Sequence, residues 1–386
     1  MIEDWIHYFD TATYDVMPSF EGVTEDRLIS QIIRFQDHNI IDWSTIDAVI
    51  IGINDARNTI HKGCSKAPNA VRQYLYGLRT ISNNMQILDM GNIRGKTIDD
   101  RYRAIEDITK ELIEREIFPI IIGGSQDYTI PMSGALKKNI SQFRLAVVDS
   151  KIDWLSPEKD FSAASYLGYL CNDTIRAPRD LTVIGVQKYL YSQYQEDKII
   201  NASYDFFRMG ELRQHGHKAA EPYIRDADLI SVDMTAIRHG DQPARYLPMP
   251  NGLTGEEFCQ LMWYAGQSDK LKAIGLFELD IDLDSNMQGT VLTAQALWHI
   301  LEGITLRYKD YPVKDLDSYR QFIVHLEDYE LDIKFYNNPD NDRWWVEIPS
   351  ENDQVEIVAC GRQDFETASK REIPERWFRF IKKKGL

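Results

Sequence analysis

The sequence predicts a three-layer α/β/α domain with a mostly parallel, doubly wound sheet, and three features of it do so. Short, β-branched apolar runs recur along the chain, segments with helical spacing lie between them, and polar residues stand directly after the runs. Short runs without polar alternation suit strands buried on both faces, which is the environment of parallel strands covered by helices.

In chain order the runs are Asp47–Ile53 (DAVIIGI), Phe118–Ile122 (FPIII), Leu145–Val148 (LAVV), Leu181–Val186 (LTVIGV), Leu229–Val232 (LISV) and Ala273–Phe277 (AIGLF). Thr97–Arg115 puts Ile98, Tyr102, Ile105, Ile108 and Ile113 on one helical face and stops just before a strand run. Thr254–Ala265 and Thr293–Leu306 read as helices covering the sheet. Residues 46–310 are expected to form this domain. Residues 1–45 form an extension packed on its core, with Glu25–Phe35 as a short amphipathic helix. Residues 311–386 form a second extension of β-hairpin and helix. In it Tyr329–Tyr336 and Arg343–Ile348 are strands joined through NNPDND, Val355–Ala359 adds a third, and Asp364–Lys384 is a closing helical tail. Trp344 and Trp345 read as sheet core, with a contact surface as the other reading.

Composition narrows the functional classes. Against 44 Lys+Arg stand 60 Asp+Glu, a formal charge of −16 in 386 residues. Such an excess repels phosphate backbones and anionic membranes, so neither nucleic acid nor membrane is expected as a partner. Cys64, Cys171, Cys259 and Cys360 stand singly, which fits neither a disulfide framework nor a thiolate metal site. The opening MIEDWIHYFD is acidic where a secretory leader is basic, and no apolar run approaches the ~18 residues of a membrane span. A cytoplasmic location is expected.

Functional groups in such folds gather at the carboxyl ends of the strands. Gln126, Asp127, Asp149, Lys151, Asp153, Asp233, Thr235 and Glu278 follow the runs closely. Any one of them could merely cap a helix or hold a loop. Several carboxylates converging on one crevice are costly unless a cation or a proton compensates them, so the set together marks a functional site. His215 and His217, in QHGHK, read as exposed loop polarity.

At these strand ends the sequence resembles the ureohydrolase family, the manganese hydrolases that include arginase, agmatinase and formimidoylglutamase. The fragments lie in the family's order over roughly residues 45–307. They are Gly52–Arg72 (GINDARNTIHKGCSKAPNAVR), Ile121–Asp127 (IIGGSQD, similar to G-G-D-H-S), Asp149–Asp153 (DSKID, similar to D-A-H-x-D), Ser231–Arg238 (SVDMTAIR, similar to S-x-D-x-D-x-x-D), Asn251–Glu257 (NGLTGEE) and Phe277–Asp280 (FELD). The resemblance implies an arginase-like fold, a trimeric or hexameric assembly and a site that uses two bridged divalent metals to acidify one water.

It also exposes departures from the family. Asp149, Asp153 and Asp233 stand at ligand positions, but Gln126 and Lys151 replace the two histidines and Thr235 replaces an aspartate. An ammonium has no lone pair for a metal, yet it can replace a metal's charge. The expectation is therefore that Lys151 occupies the second metal's place, and that a dimanganese centre does not form. Gln126, Asp149, Asp153 and Asp233 are an all-oxygen set suited to one hard cation, Mn²⁺, Mg²⁺ or Ca²⁺. Glu278 matches the carboxylate that grips the guanidinium, and Tyr166 stands where the family's proton-transfer histidine would be, so Lys151, Glu278 and Tyr166 carry whatever chemistry remains. The resemblance thus implies a homo-oligomer in a binding, regulatory or assembly role, able to take a small cationic guanidino or formimino ligand. The alternative is an active C–N hydrolase of such a compound with one hard metal or none.

Overall fold

The structure is a computed structural model, in which residues 5, 7–12, 26–35, 41–81, 85–155, 160–311, 316–349 and 355–384 are described. One sheet holds β1 (Phe9–Asp10), β2 (Ile32–Arg34), β3 (Ala48–Gly52), β4 (Ile87–Ile93), β5 (Phe118–Ile122), β6 (Arg144–Val148), β7 (Asp180–Val186), β8 (Asp205–Arg208), β9 (Leu229–Asp233) and β10 (Ala273–Phe277). The strand order is β1-β4-β3-β5-β10-β9-β6-β7-β8, with β2 also paired to β4, and β1 alone runs antiparallel. All six predicted runs are among the parallel strands, and every residue of β3, β5, β6, β9 and β10 is buried.

Helices cover both faces: α1 (Ala67–Leu75), α2 (Ile98–Glu114), α3 (Thr129–Asn139), α4 (Tyr166–Asn172), α5 (Gln193–Asn201), α6 (Met209–His215), α7 (Glu221–Arg225), α8 (Gly255–Gly266) and α9 (Gln288–Thr305). Alternate strand residues feed two separate cores. Ile50, Ile120, Val148, Val232 and Leu276 pack towards α1, α8 and α9. Val49, Ile121, Val147, Leu229 and Phe277 pack towards α2, α3 and α4. The helices after β5 and β6 therefore lie on one face and those after β9 and β10 on the other. The chain leaves these central strands in opposite directions, which opens a crevice at their carboxyl ends.

A second sheet is antiparallel, with β11 (Arg320–Leu326), β12 (Leu331–Asn337), β13 (Trp344–Pro349) and β14 (Val355–Cys360) in sequential order, backed by α10 (Arg362–Ser369) and α11 (Glu375–Lys384). Its seam with the first unit is built from ion pairs. Asp226 is held by Arg144, Lys270 and Arg376, Glu356 by Arg144, Arg179 and Lys384, and Asp180 by Lys383 at 2.9 Å.

Several expectations need correction. Glu25 lies outside the described residues, and the rest of the segment read as a helix is one 3₁₀ turn, Leu28–Gln31, followed by β2. Pairing of Ile32–Arg34 with Ile87–Asp89 outweighs the local helical spacing, as β-branched residues permit. The second extension is a four-stranded sheet rather than a hairpin, since Arg320–Leu326 pairs along its whole length with β12. Its tail is two helices, broken where Arg371 takes a left-handed backbone and Pro374 cannot donate a helical hydrogen bond. His215 closes α6 instead of lying in a loop. Trp344 and Trp345 are sheet core. Among the described residues no helix is long and apolar enough to cross a membrane.

Candidate functional site

Each central strand delivers its side chains by a local device. After β5, Gly123 and Gly124 both take left-handed backbone angles, and a Cβ on Gly124 would sit 2.6 Å from the Ile53 side chain. That turn drops Gln126 into the interior, where its backbone N–H donates to Glu278 Oε1 at 2.8 Å and its Nε2 to Ser231 Oγ at 3.2 Å. After β6 and β9 the same Asx-type turn recurs. Asp149 Oδ1 accepts from the Lys151 N–H at 3.1 Å, and Asp233 Oδ1 accepts from the Thr235 N–H at 2.6 Å. In each case one carboxylate oxygen ends the strand and the other is left pointing inward.

Asp149, Asp153 and Asp233 are buried and can present oxygens within 4.8 Å of one another. The Lys151 ammonium lies 3.5 Å from Asp153 and 3.6 Å from Asp233, with a third of its side chain still exposed. Burial works against its charge, but Asp153, Asp149 and Asp233 outweigh that and hold the amine above its ordinary range. Burial, with Asp153 and Asp233 adding, pushes Asp149 well above a normal carboxyl. Asp153 is pushed up to about 6, chiefly by burial, although Lys151 pulls the other way.

Glu278 directly follows β10 with a left-handed backbone, φ 64°, a strained conformation for a side chain other than glycine. Its Oε2 accepts from the Thr59 hydroxyl and meets His61 Nδ1 at 2.9 Å. Tyr166 is fully buried, and its burial, with Asp153 and Asp149 beside it, holds the phenol well above its ordinary value. Asp127 belongs elsewhere: Asn58 at 2.8 Å and the Tyr102 hydroxyl hold its Oδ2, and it is not part of the three-aspartate group.

Three contributors escaped the sequence reading. Thr59 and His61 lie in the loop after β3, inside the quoted stretch Gly52–Arg72, where an interrupted polar segment was the only signal. Arg245 is the third. Its Nη1 donates to the carbonyls of Thr235 and Ile237 at 2.6 and 2.8 Å, and Asp233 and Asp149 oppose the lowering of its pKa by burial.

The donors present suit a hard cation. Gln126 Oε1, Asp149 Oδ2 and Asp233 Oδ2 are buried without a hydrogen bond, and three carboxylates with an amide oxygen are ligands of the kind Mg²⁺, Ca²⁺ or Mn²⁺ accepts.

Residues 46–302 match the model of the arginase family, described as "Arginase: Arginase family". Formimidoylglutamase of Staphylococcus epidermidis is 22% identical over 249 residues, 62% of this chain and 79% of the relative. That of Staphylococcus aureus is 20% identical over 288 residues, 70% and 92% of the two chains. Among solved structures, Trypanosoma cruzi formiminoglutamase with Mn²⁺ superposes with a TM-score of 0.66 at 19% identity, covering 73% of this chain and 99% of that one. Formimidoylglutamase from Bacillus subtilis gives 0.65 at 21%, covering 80% and 100%. These likenesses establish the fold.

Proposed function

Because the chain belongs to the arginase family, we propose that its crevice is a C–N hydrolase centre for a small formimino or guanidino compound, rebuilt to work with one divalent cation or none. One observation carries this reading: three buried aspartates converge on Lys151, and two of them are held above the ordinary carboxyl range. A fold gains nothing in stability from such an arrangement, whereas catalytic sites depend on it. Formimidoylglutamases among the relatives point to the formimino compound as the first substrate to try.

Gln126, Asp149, Asp153 and Asp233 would hold the cation. The chemistry supplied by such an ion is polarisation of the substrate and acidification of a water. Lys151 holds the negative charge of the aspartates in check and presents a donor to charge that develops on the substrate. Asp149, turned by its Asx hydrogen bond, is pushed by burial and by Asp153 and Asp233 towards its neutral form, which eases the repulsion in the cluster. A cytoplasmic homo-oligomer belongs to the same reading, and light scattering on the purified protein tests the assembly.

The test is release of formamide, urea or ammonia from formiminoglutamate, arginine, agmatine and guanidinobutyrate, with added Mn²⁺ and with chelator. The expected result is turnover of one of them, abolished by Asp149→Asn. Silence towards all of them would refute the hydrolase. A second reading, a binding, regulatory or assembly protein without turnover, is favoured by Lys151, whose ammonium already neutralises the aspartates from within at 3.5 and 3.6 Å. Saturable binding of one of these compounds without product would select it.

A further inference from the structure

Glu278 is built to hold a histidine. Its Oε1 is taken by the Gln126 N–H, and its Oε2 by the Thr59 hydroxyl and His61 Nδ1. A carboxylate with both oxygens engaged has little capacity for the bidentate grip on a guanidinium. The loop that brings His61 there is constructed for the purpose. The His61 N–H donates to Thr59 Oγ1 at 3.1 Å, which fixes the turn. A Cβ on Gly63 would lie 2.0 Å from Asp280 Oδ1, so only glycine lets the loop close onto the end of β10. Nδ1–H donating to Glu278 sets the tautomer and leaves Nε2 with a lone pair. Among the described residues no hydrogen bond engages Nε2, and His61 keeps 7% exposure.

From this we infer that His61 is the proton-transfer residue of the crevice and Glu278 its positioning residue. The inference rests on the hydrolase reading and deepens it. His61 Nε2 takes a proton from the attacking water as the new O–C bond forms at the formimino or guanidino carbon. The imidazolium returns that proton to the leaving nitrogen as the C–N bond breaks, so one water is consumed and the site is restored. Tyr166 lies beside Asp153 and Asp149 with its phenol held well above its ordinary value by burial, which makes it a poor proton acceptor. The charged groups that face His61 are Glu278 and Asp280 from the end of β10, with Lys62 on its own loop directed to the carbonyl of Ala56 at 2.9 Å.

With formiminoglutamate as substrate, His61→Asn is expected to lower kcat by ~10²–10⁴-fold with KM nearly unchanged, and added imidazole to restore part of the loss. Glu278→Gln is expected to move the pH–rate profile, which a merely structural role would not do. A His61→Asn or His61→Gln enzyme that folds and keeps kcat within about twofold of the parent overturns the inference and leaves the hydrolase standing. If the parent itself is silent, the hydrolase falls and His61 is judged by nitrogen NMR of histidine-labelled protein. A saturable shift of its Nε2 resonance with formiminoglutamate supports the placement, and a resonance that does not move overturns it.

Discussion

Two buried charge clusters lie in this molecule, and they are built on opposite rules. At the seam between the two sheets, Asp226, Asp180 and Glu356 each face two or more basic groups, and Arg144, Arg379 or their neighbours hold all three carboxyls below their ordinary values against the cost of burial. In the crevice the acids outnumber the cations beside them, and Asp149 and Asp153 are held above theirs. Burial alone therefore does not distinguish glue from chemistry. The balance of charge does: each of these seam acids has two or more cations beside it, whereas in the crevice one ammonium is shared between Asp153 and Asp233.

The largest effect is expected at the seam. Asp226→Ala leaves Arg144 and Arg376 buried without their shared partner and is expected to cost about 3–5 kcal/mol, measured by denaturant unfolding. Acid should act there too. Carboxyls held low in the folded state add stability above about pH 4, where the unfolded chain also ionises, and lose it as pH falls through their folded values. The second sheet should then come away from the first unit below about pH 4, seen as exposure of Trp344 and Trp345 by fluorescence.

The crevice should respond with the other sign. A carboxyl held at about 6 rather than 3.8 stabilises the fold below the unfolded value and costs up to about 3 kcal/mol once the pH has risen through the folded one. Asp153→Asn is accordingly expected to raise thermal stability at pH 8, with the gain gone by about pH 4. Lys151→Met removes the competing ammonium and is expected to tighten Mn²⁺ binding about 10-fold or more, by calorimetry, a modest figure because a third of the lysine side chain is exposed. Smallest of all is the rim pair Lys66–Asp282, both members more than half exposed, where either alanine variant should change stability by under about 1 kcal/mol.

How far the sequence discloses these regions depends on where each group lies in the chain. The parallel strands are legible because burial on both faces writes uninterrupted apolar runs, and Asp149, Asp233 and Glu278 because they directly follow such runs, with Asp153 four residues after Asp149. β4 (ILDMGNI) is hidden by Asp89 and Asn92, polar residues that look unsuitable for a core. They are satisfied there by Arg72, fully buried and bonded to Asp89 at 3.0 Å and Asn92 at 2.8 Å. His61 and Arg245 are hidden for a related reason: each comes from a loop, and its partner is a strand end or carbonyl fixed only once the loop has folded. The seam is the least legible region, since Asp226 and Arg376 stand 150 residues apart.

On the proposed function, the Lys151 ammonium takes the place of a second cation beside Asp153 and Asp233. That placement is tested most directly by counting Mn²⁺ per chain, by elemental analysis of protein equilibrated with excess ion and freed of unbound metal. With Lys151 in place the expected content is one equivalent or less. Two equivalents would contradict that placement of Lys151.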